Sequence, residues 1–137
     1  MSVNIERYEE TVNDIEEAFG ILPGYLDALP EQELVNEWPN MKRFMFGETE
    51  IAPKHREFIG LAMAAAIGCP YCEHFHKGAA QLHGATEAEM SELFFLASYT
   101  PRYSAIIHAQ DYDLDVFKEE TAQIVEHLKA GAAADDD

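Results

Sequence analysis

The segment FIGLAMAAAIGCPYCEHFHKGAAQLHG (58–84) constrains this chain more than any other. Its first part, through Ile67, is apolar on every side of a helix, which marks a helix meant for burial. Pro53 suits the opening of that helix and Gly68 its end. Pro70 then suits the first turn of another helix, which runs to about His83 before Gly84. The apolar run is also well under the ~20 residues of a membrane span.

The rest of the chain carries the same helical grammar. VNIERYEETVNDIEEAF (3–19) places Val3, Ile5, Tyr8, Val12, Ile15 and Phe19 at helical spacing, with acidic residues between them. Gly20, Pro23 and Gly24 break it. EQELVNEW (31–38) follows Pro30 as a short helix, and Pro39 marks its expected end. The stretch 41–52 is open between a short helix turning at Gly47 and irregular chain. Thr86 with Glu89 three positions on forms a capping box for a helix turning Met90, Leu93, Phe94 and Leu96 inward. Segments 101–112 and 114–130 read as two more helices, the last with Val116, Phe117, Ile124, Val125 and Leu128 as its apolar set. Nothing repeats and no strand pattern stands out, so the expected class is all-α. At 137 residues the chain fits one domain, placed at 1–130 with its core motif at 53–100. Residues 131–137 read as an acidic flexible tail.

Charge narrows the partners. Twenty-six acidic residues against nine Lys and Arg give a formal net charge of −17. Such a surface repels phosphate backbones and anionic lipid, which argues against nucleic acid and membrane partners. It serves solubility, and it also suits high intracellular salt, where screening makes dense like charge tolerable. The N-terminus lacks a basic start followed by an apolar stretch, so it does not read as a signal peptide, and a cytoplasmic setting is expected. Thiols stay reduced there, which makes a CxxC pair catalytic or metal-binding more often than a structural staple.

The chemistry is concentrated in GCPYCEHFHKGAA (68–80), which holds both cysteines of the chain, Cys69 and Cys72. At 3.6 residues per turn Cys69, Cys72, His76 and His83 share one face, and His74 points away from it. Cys69 stands at the N-cap and Cys72 in the first turn, where unpaired N–H groups and the helix dipole favour a thiolate. His76 lies one turn after Cys72, within reach to take the thiol proton. CxxC spacing lets Cys69 resolve whatever forms on Cys72 by closing a disulfide. Glu57 shares a helix face with Leu61, Ala64 and Gly68, a face that leads toward the thiols, so it could pass protons through His76. It could equally serve as a helix-start carboxylate paired with Arg56 or Lys54. Tyr71 and Phe75 could wall a pocket or simply pack, His83 could belong to the site or to a helix C-terminus, and Trp38 reads as core. A zinc site built on Cys69, Cys72 and His76 stays open as an alternative, with His83, His108 or Glu57 as fourth ligand.

These residues carry a resemblance. Glu57, Cys69, Cys72 and His76, spaced E-x11-C-x2-C-x3-H within PKHREFIGLAMAAAIGCPYCEHFHKGAAQLHGATEAEMSEL, resemble the active-site signature of the carboxymuconolactone decarboxylase superfamily in its alkylhydroperoxidase AhpD-like branch. LPGYLDALPEQELVNEW is similar to that family's N-terminal part, and the likeness spans roughly residues 15–125. It implies an all-α bundle whose core is a helical hairpin carrying the CxxC, assembled as a homotrimer or homohexamer. It also implies peroxidase or disulfide reductase activity, with Cys72 reactive, Cys69 resolving, and Glu57 and His76 relaying protons. Tyr71 stands where well-described members carry His, so a second imidazole is absent. The expected substrate is a small hydroperoxide or a thiol/disulfide, and the reductant an unidentified protein or small thiol. No cofactor and no resident metal enter this reading. The other readings are an acid–base decarboxylase acting on a small lactone, against which the cysteines argue, and a non-catalytic zinc-binding module.

Overall fold

A computed structural model describes residues 5–135, with side chains described through residue 132. Eight helices make up these residues, and no strand occurs among them. They are α1 (Ile5–Phe19), α2 (Gly24–Asp27), α3 (Glu31–Phe46), α4 (Pro53–Ile67), α5 (Pro70–Leu82), α6 (Glu87–Ala97), α7 (Tyr99–Ala109) and α8 (Leu114–Asp135). The all-α expectation holds. Val3 of the expected first helix lies outside the described residues. Among the described residues no helix is long and apolar enough to cross a membrane.

Two clusters form the core. In the first, Ile15, Leu26, Leu34 and Trp38 bring α1, α2 and α3 together, with Tyr8, Val12, Phe19 and Met41 packed around them. Phe19 meets the Trp38 ring edge-on at 5.4 Å, and Trp38 Nε1 donates to Asp14 Oδ2 at 2.6 Å. Lys42 Nζ donates to the other oxygen of Asp14, so α1 and α3 are also joined by charge. Those two donors, Lys42 first, hold the Asp14 carboxyl below its ordinary range. In the second cluster Leu61 of α4, Ala80 of α5, and Met90 and Leu93 of α6 are buried together. Each large side chain so buried contributes roughly 1.5–3 kcal/mol.

Pro39 does not end the third helix. α3 runs through it to Phe46 and stops at Gly47, which settles the open stretch 41–52 up to that turn. A proline inside a helix forfeits one backbone hydrogen bond. Here packing on both sides of it outweighs that loss: Leu34, Val35 and Trp38 are buried before it, and Met41, Lys42 and Phe46 engage α1 after it.

The α4–α5 hairpin forms as the Gly-Cys-Pro link requires. Gly68 caps α4 with φ +67°, its N–H reaching Ala65 O while Cys69 N reaches Ala64 O at 3.0 Å. This is the left-handed closure that favours glycine. The same closure recurs at Gly84, φ +80°, after α5. α6 opens on the expected capping box: Glu89 N donates to Thr86 Oγ1 at 3.1 Å, and Thr86 N to Glu89 Oε2 at 2.8 Å. Lys54 Nζ bonds the other oxygen of Glu89 at 2.8 Å and pins α6 to the start of α4.

Expectations about burial and helix bounds are corrected on three helices. α4 is not buried on every side: Glu57, Leu61 and Ala64 are buried on the face that meets α5 and α6, while Ile59, Met63 and Ile67 stand exposed. Met90 and Leu93 turn inward on α6, but Phe94 and Leu96 are 45% and 53% exposed, because α6 buries only the stripe that meets α4. The apolar set of α8 is exposed throughout, and neither α7 nor α8 has a buried residue among those described. α8 also continues to Asp135, past the expected start of the tail, because KAGAAAD is mostly alanine, the strongest helix former. Residues 136 and 137 of that tail lie outside the described residues.

Candidate active site

Cys69 is the N-cap of α5, and its sulfur accepts the Cys72 N–H at 3.3 Å. The two cysteines are joined as a disulfide, with Cα atoms 5.4 Å apart, well inside the span such a bridge tolerates. The pair therefore sits across the first turn of a helix, where the backbone presents unpaired N–H groups. Pro70 fixes the start of that turn.

His76 follows one turn later on α5. Its Nδ1 lies 2.7 Å from Glu57 Oε2, which reaches across the hairpin from the first half of α4. Glu57 is 7% exposed, the one charged residue among the described residues that is buried. Its carboxylate can only accept, so Nδ1 is the donor and Nε2 is the nitrogen left for chemistry. Of the pairings open to Glu57, the structure shows the one with His76 and not one with Arg56 or Lys54. Lys54 instead pairs with Glu89, and Arg56 donates to Thr49 Oγ1 at 3.0 Å and Gly47 O at 3.1 Å, tying down the loop before α4.

Cys72, His76 and Glu57 open together onto one cleft of about 980 Å³. α5 contributes Tyr71 and Phe75 as well, α4 adds Arg56 and Ile59, and α2 adds Tyr25. The opposite wall is α3, through Glu37, Asn40, Met41, Phe44 and Met45. Aromatic and thioether groups dominate the lining, and partial burial pushes the Tyr25 phenol above its ordinary range, so it stays a neutral hydroxyl. Cys69 does not line the cleft. A molecule in it meets Cys72, while Cys69 lies outside the lining and accepts the Cys72 N–H at the helix end.

Of the residues singled out from sequence, the fold gathers Glu57, Cys69, Cys72, His76, Tyr71 and Phe75. Tyr71, 85% exposed, stands at the mouth. His83 is brought no nearer: it caps the far end of α5, exposed and outside the cleft lining. His74 faces away from the cleft toward Leu61, Lys77 and Phe94, as the helical spacing indicates. Trp38 is core. The α3 wall escapes the sequence analysis, because it depends on how two separate helical units meet and no local spacing records that. Among the described residues no three His, Cys, Asp or Glu side chains group to hold a metal ion.

The comparisons with known proteins agree with this fold. A crystal structure described as the alkylhydroperoxidase AhpD core from Rhodospirillum rubrum superposes with a TM-score of 0.69 and 26% sequence identity, covering 82% of this chain and 86% of that one. No curated protein sequence matches the chain. The sequence profile of the carboxymuconolactone decarboxylase family matches residues 32–112, a span that holds the cleft's α3 wall, the hairpin and all four signature residues. The chain is a member of the carboxymuconolactone decarboxylase family with an AhpD-like fold.

Proposed function

We propose that this protein is a thiol-dependent oxidoreductase that reduces a hydroperoxide, or a partner's disulfide, through Cys72 and Cys69. The observation that carries the reading is that Cys72 and a Glu57–His76 pair line one largely apolar cleft, with Cys69 bridged to Cys72 and outside the lining. In the reduced protein His76 Nε2 takes the Cys72 proton. The thiolate attacks the outer peroxide oxygen and the O–O bond breaks. The leaving alkoxide receives the proton from His76, giving an alcohol and Cys72 sulfenic acid. The Cys69 sulfur then attacks Cys72, water leaves, and the disulfide closes. Two electrons have passed from the dithiol to the peroxide.

Return to the dithiol needs an external reductant, an unidentified protein or small dithiol. Its thiolate reaches Cys72 from the cleft, and Cys69 departs as a thiolate supported by the Cys72 N–H at the helix end. This chemistry suits a reducing, cytoplasmic setting. The working unit is a homo-oligomer, a trimer or hexamer, supported by the apolar faces that α7 and α8 leave uncovered. The AhpD-like fold of the Rhodospirillum rubrum structure favours peroxidase chemistry over an acid–base reaction on a small lactone. The Glu57–His76 pair alone could serve a lactone decarboxylase, and the cysteines separate the two. Turnover of an organic hydroperoxide with a dithiol reductant is expected for the native protein and lost in Cys69→Ser/Cys72→Ser. Hydroperoxide turnover that survives this double substitution would refute the proposal.

A further inference from the structure

α4 carries a glycine where alanine would serve the helix better. PKHREFIGLAMAAAI otherwise fills its small positions with alanine, and Gly60 sits in the helix interior with an ordinary helical conformation. Glycine there weakens a helix relative to alanine, so it needs a reason in packing. The reason is the imidazole of His76. A Cβ built on Gly60 would stand 2.5 Å from His76 Nε2 and 2.6 Å from Nδ1, with Cε1 crowded as well. Real Cβ contacts are never that close. The ring thus lies directly against the α4 backbone, in a space only glycine leaves.

The geometry points to Gly60 as a positioning residue for the proton relay, an inference that rests on the thiol chemistry proposed above. The ring is fixed from three directions. Gly60 gives it a seat, Glu57 holds Nδ1 at 2.7 Å, and Phe75 closes the edge with ring centroids 5.2 Å apart. Glu57 is three positions before Gly60, on the neighbouring turn of the same helix, so one stretch of α4 supplies both the seat and the hydrogen bond. A methyl group at position 60 meets the end of a side chain rather than backbone, so the ring moves and the hairpin stays. Moved, the imidazole loses its bond to Glu57 and its approach to Cys72 together.

The test uses the full chain, reduced, in a Cys69→Ser background so that Cys72 is the one thiol. Iodoacetamide alkylation rates from pH 5 to 9 and thermal melts are measured for Gly60→Ala, His76→Ala and the double variant. Gly60→Ala should move the alkylation profile toward that of His76→Ala, slowing the reaction at pH 7 by up to about tenfold for each unit by which the thiol rises above pH 7 toward the free value of ~8.5. In the His76→Ala background the added methyl should leave alkylation unchanged and raise the melting temperature, because the ring is gone and alanine favours the helix. A Gly60→Ala protein that fails to fold while the double variant folds also supports the assignment. A Gly60→Ala profile matching the parent overturns it and leaves the thiol mechanism standing. So does failure of both variants to fold, since the glycine then answers to something other than the ring. If His76→Ala itself leaves the profile unmoved, the proposed activation of Cys72 falls, and the role of Gly60 with it.

Discussion

The proposed chemistry turns on Glu57, because burial of a carboxylate is costly unless a partner meets it. Here the partner is His76 Nδ1 at 2.7 Å, and the pair opens beside Cys72. General acid–base help is typically worth ~100- to 10,000-fold in rate. Glu57→Gln, which keeps the shape, is therefore expected to slow hydroperoxide turnover by about 100-fold or more with helix content by circular dichroism unchanged. Were Glu57 only a helix-start carboxylate, the same change would cost ~0.3–1 kcal/mol of stability and leave turnover near normal. At this scale the sequence is informative wherever two groups sit on one helix. Cys69, Cys72 and His76 could be read from their i, i+3 and i+7 spacing. Glu57 could be aimed at the thiols but not joined to His76, since that contact crosses two helices. His83 shows the limit of the same reasoning: it shares the face of Cys72 but lies at the far end of α5, beyond the cleft.

Single helices owe their boundaries to local chemistry and their positions to contacts that local chemistry does not record. Gly68 and Pro70 made the end of α4 and the start of α5 legible, and Thr86 with Glu89 made the start of α6 legible. The passage of α3 through Pro39 was not, because the packing that sustains it comes from α1, some two dozen residues away in the chain. Phe94 and Leu96 were misread for a related reason: periodicity shows that a helix has an apolar face without showing how much of it a neighbour covers. The joint between α4 and α6 yields a pH prediction. The Lys54 hydrogen bond, with those of Thr86, holds the Glu89 carboxyl at about 2, below its ordinary 4.5. A carboxyl whose folded value is depressed stabilises the fold above its unfolded value and loses that contribution as pH falls toward the folded one. The melting temperature of the native protein should thus exceed that of Glu89→Gln by a constant margin above about pH 5, and the margin should close between about pH 4.5 and pH 2. Taking the difference between the two proteins removes the effect of the other acidic groups. A margin that persists unchanged at pH 2 would contradict the role given to Glu89.

The whole molecule combines a net charge of −17 with helices α7 and α8 whose apolar side chains stand exposed. Like charges oppose association of copies, while burial of those faces favours it, and salt decides the balance because the screening length falls from about 30 Å at 0.01 M to about 3 Å at 1 M. Light scattering should accordingly find a trimer or hexamer that loosens at low salt and tightens as salt is added. A monomer at both extremes would contradict that assembly. The charge could be counted in the sequence, but the uncovered faces became visible only once the helices were placed. The central claim concerns two sulfurs, and intact mass tests it most directly. Reduced protein is mixed with one equivalent of an organic hydroperoxide, quenched with acid, and weighed whole beside the Cys69→Ser and Cys72→Ser variants. The account predicts a loss of two hydrogens in the native protein as the disulfide closes, a gain of one oxygen on Cys72 when Cys69 is replaced, and a far slower reaction when Cys72 is replaced. A native protein whose mass does not change, or a Cys72→Ser variant that reacts as fast as its counterpart, would contradict it.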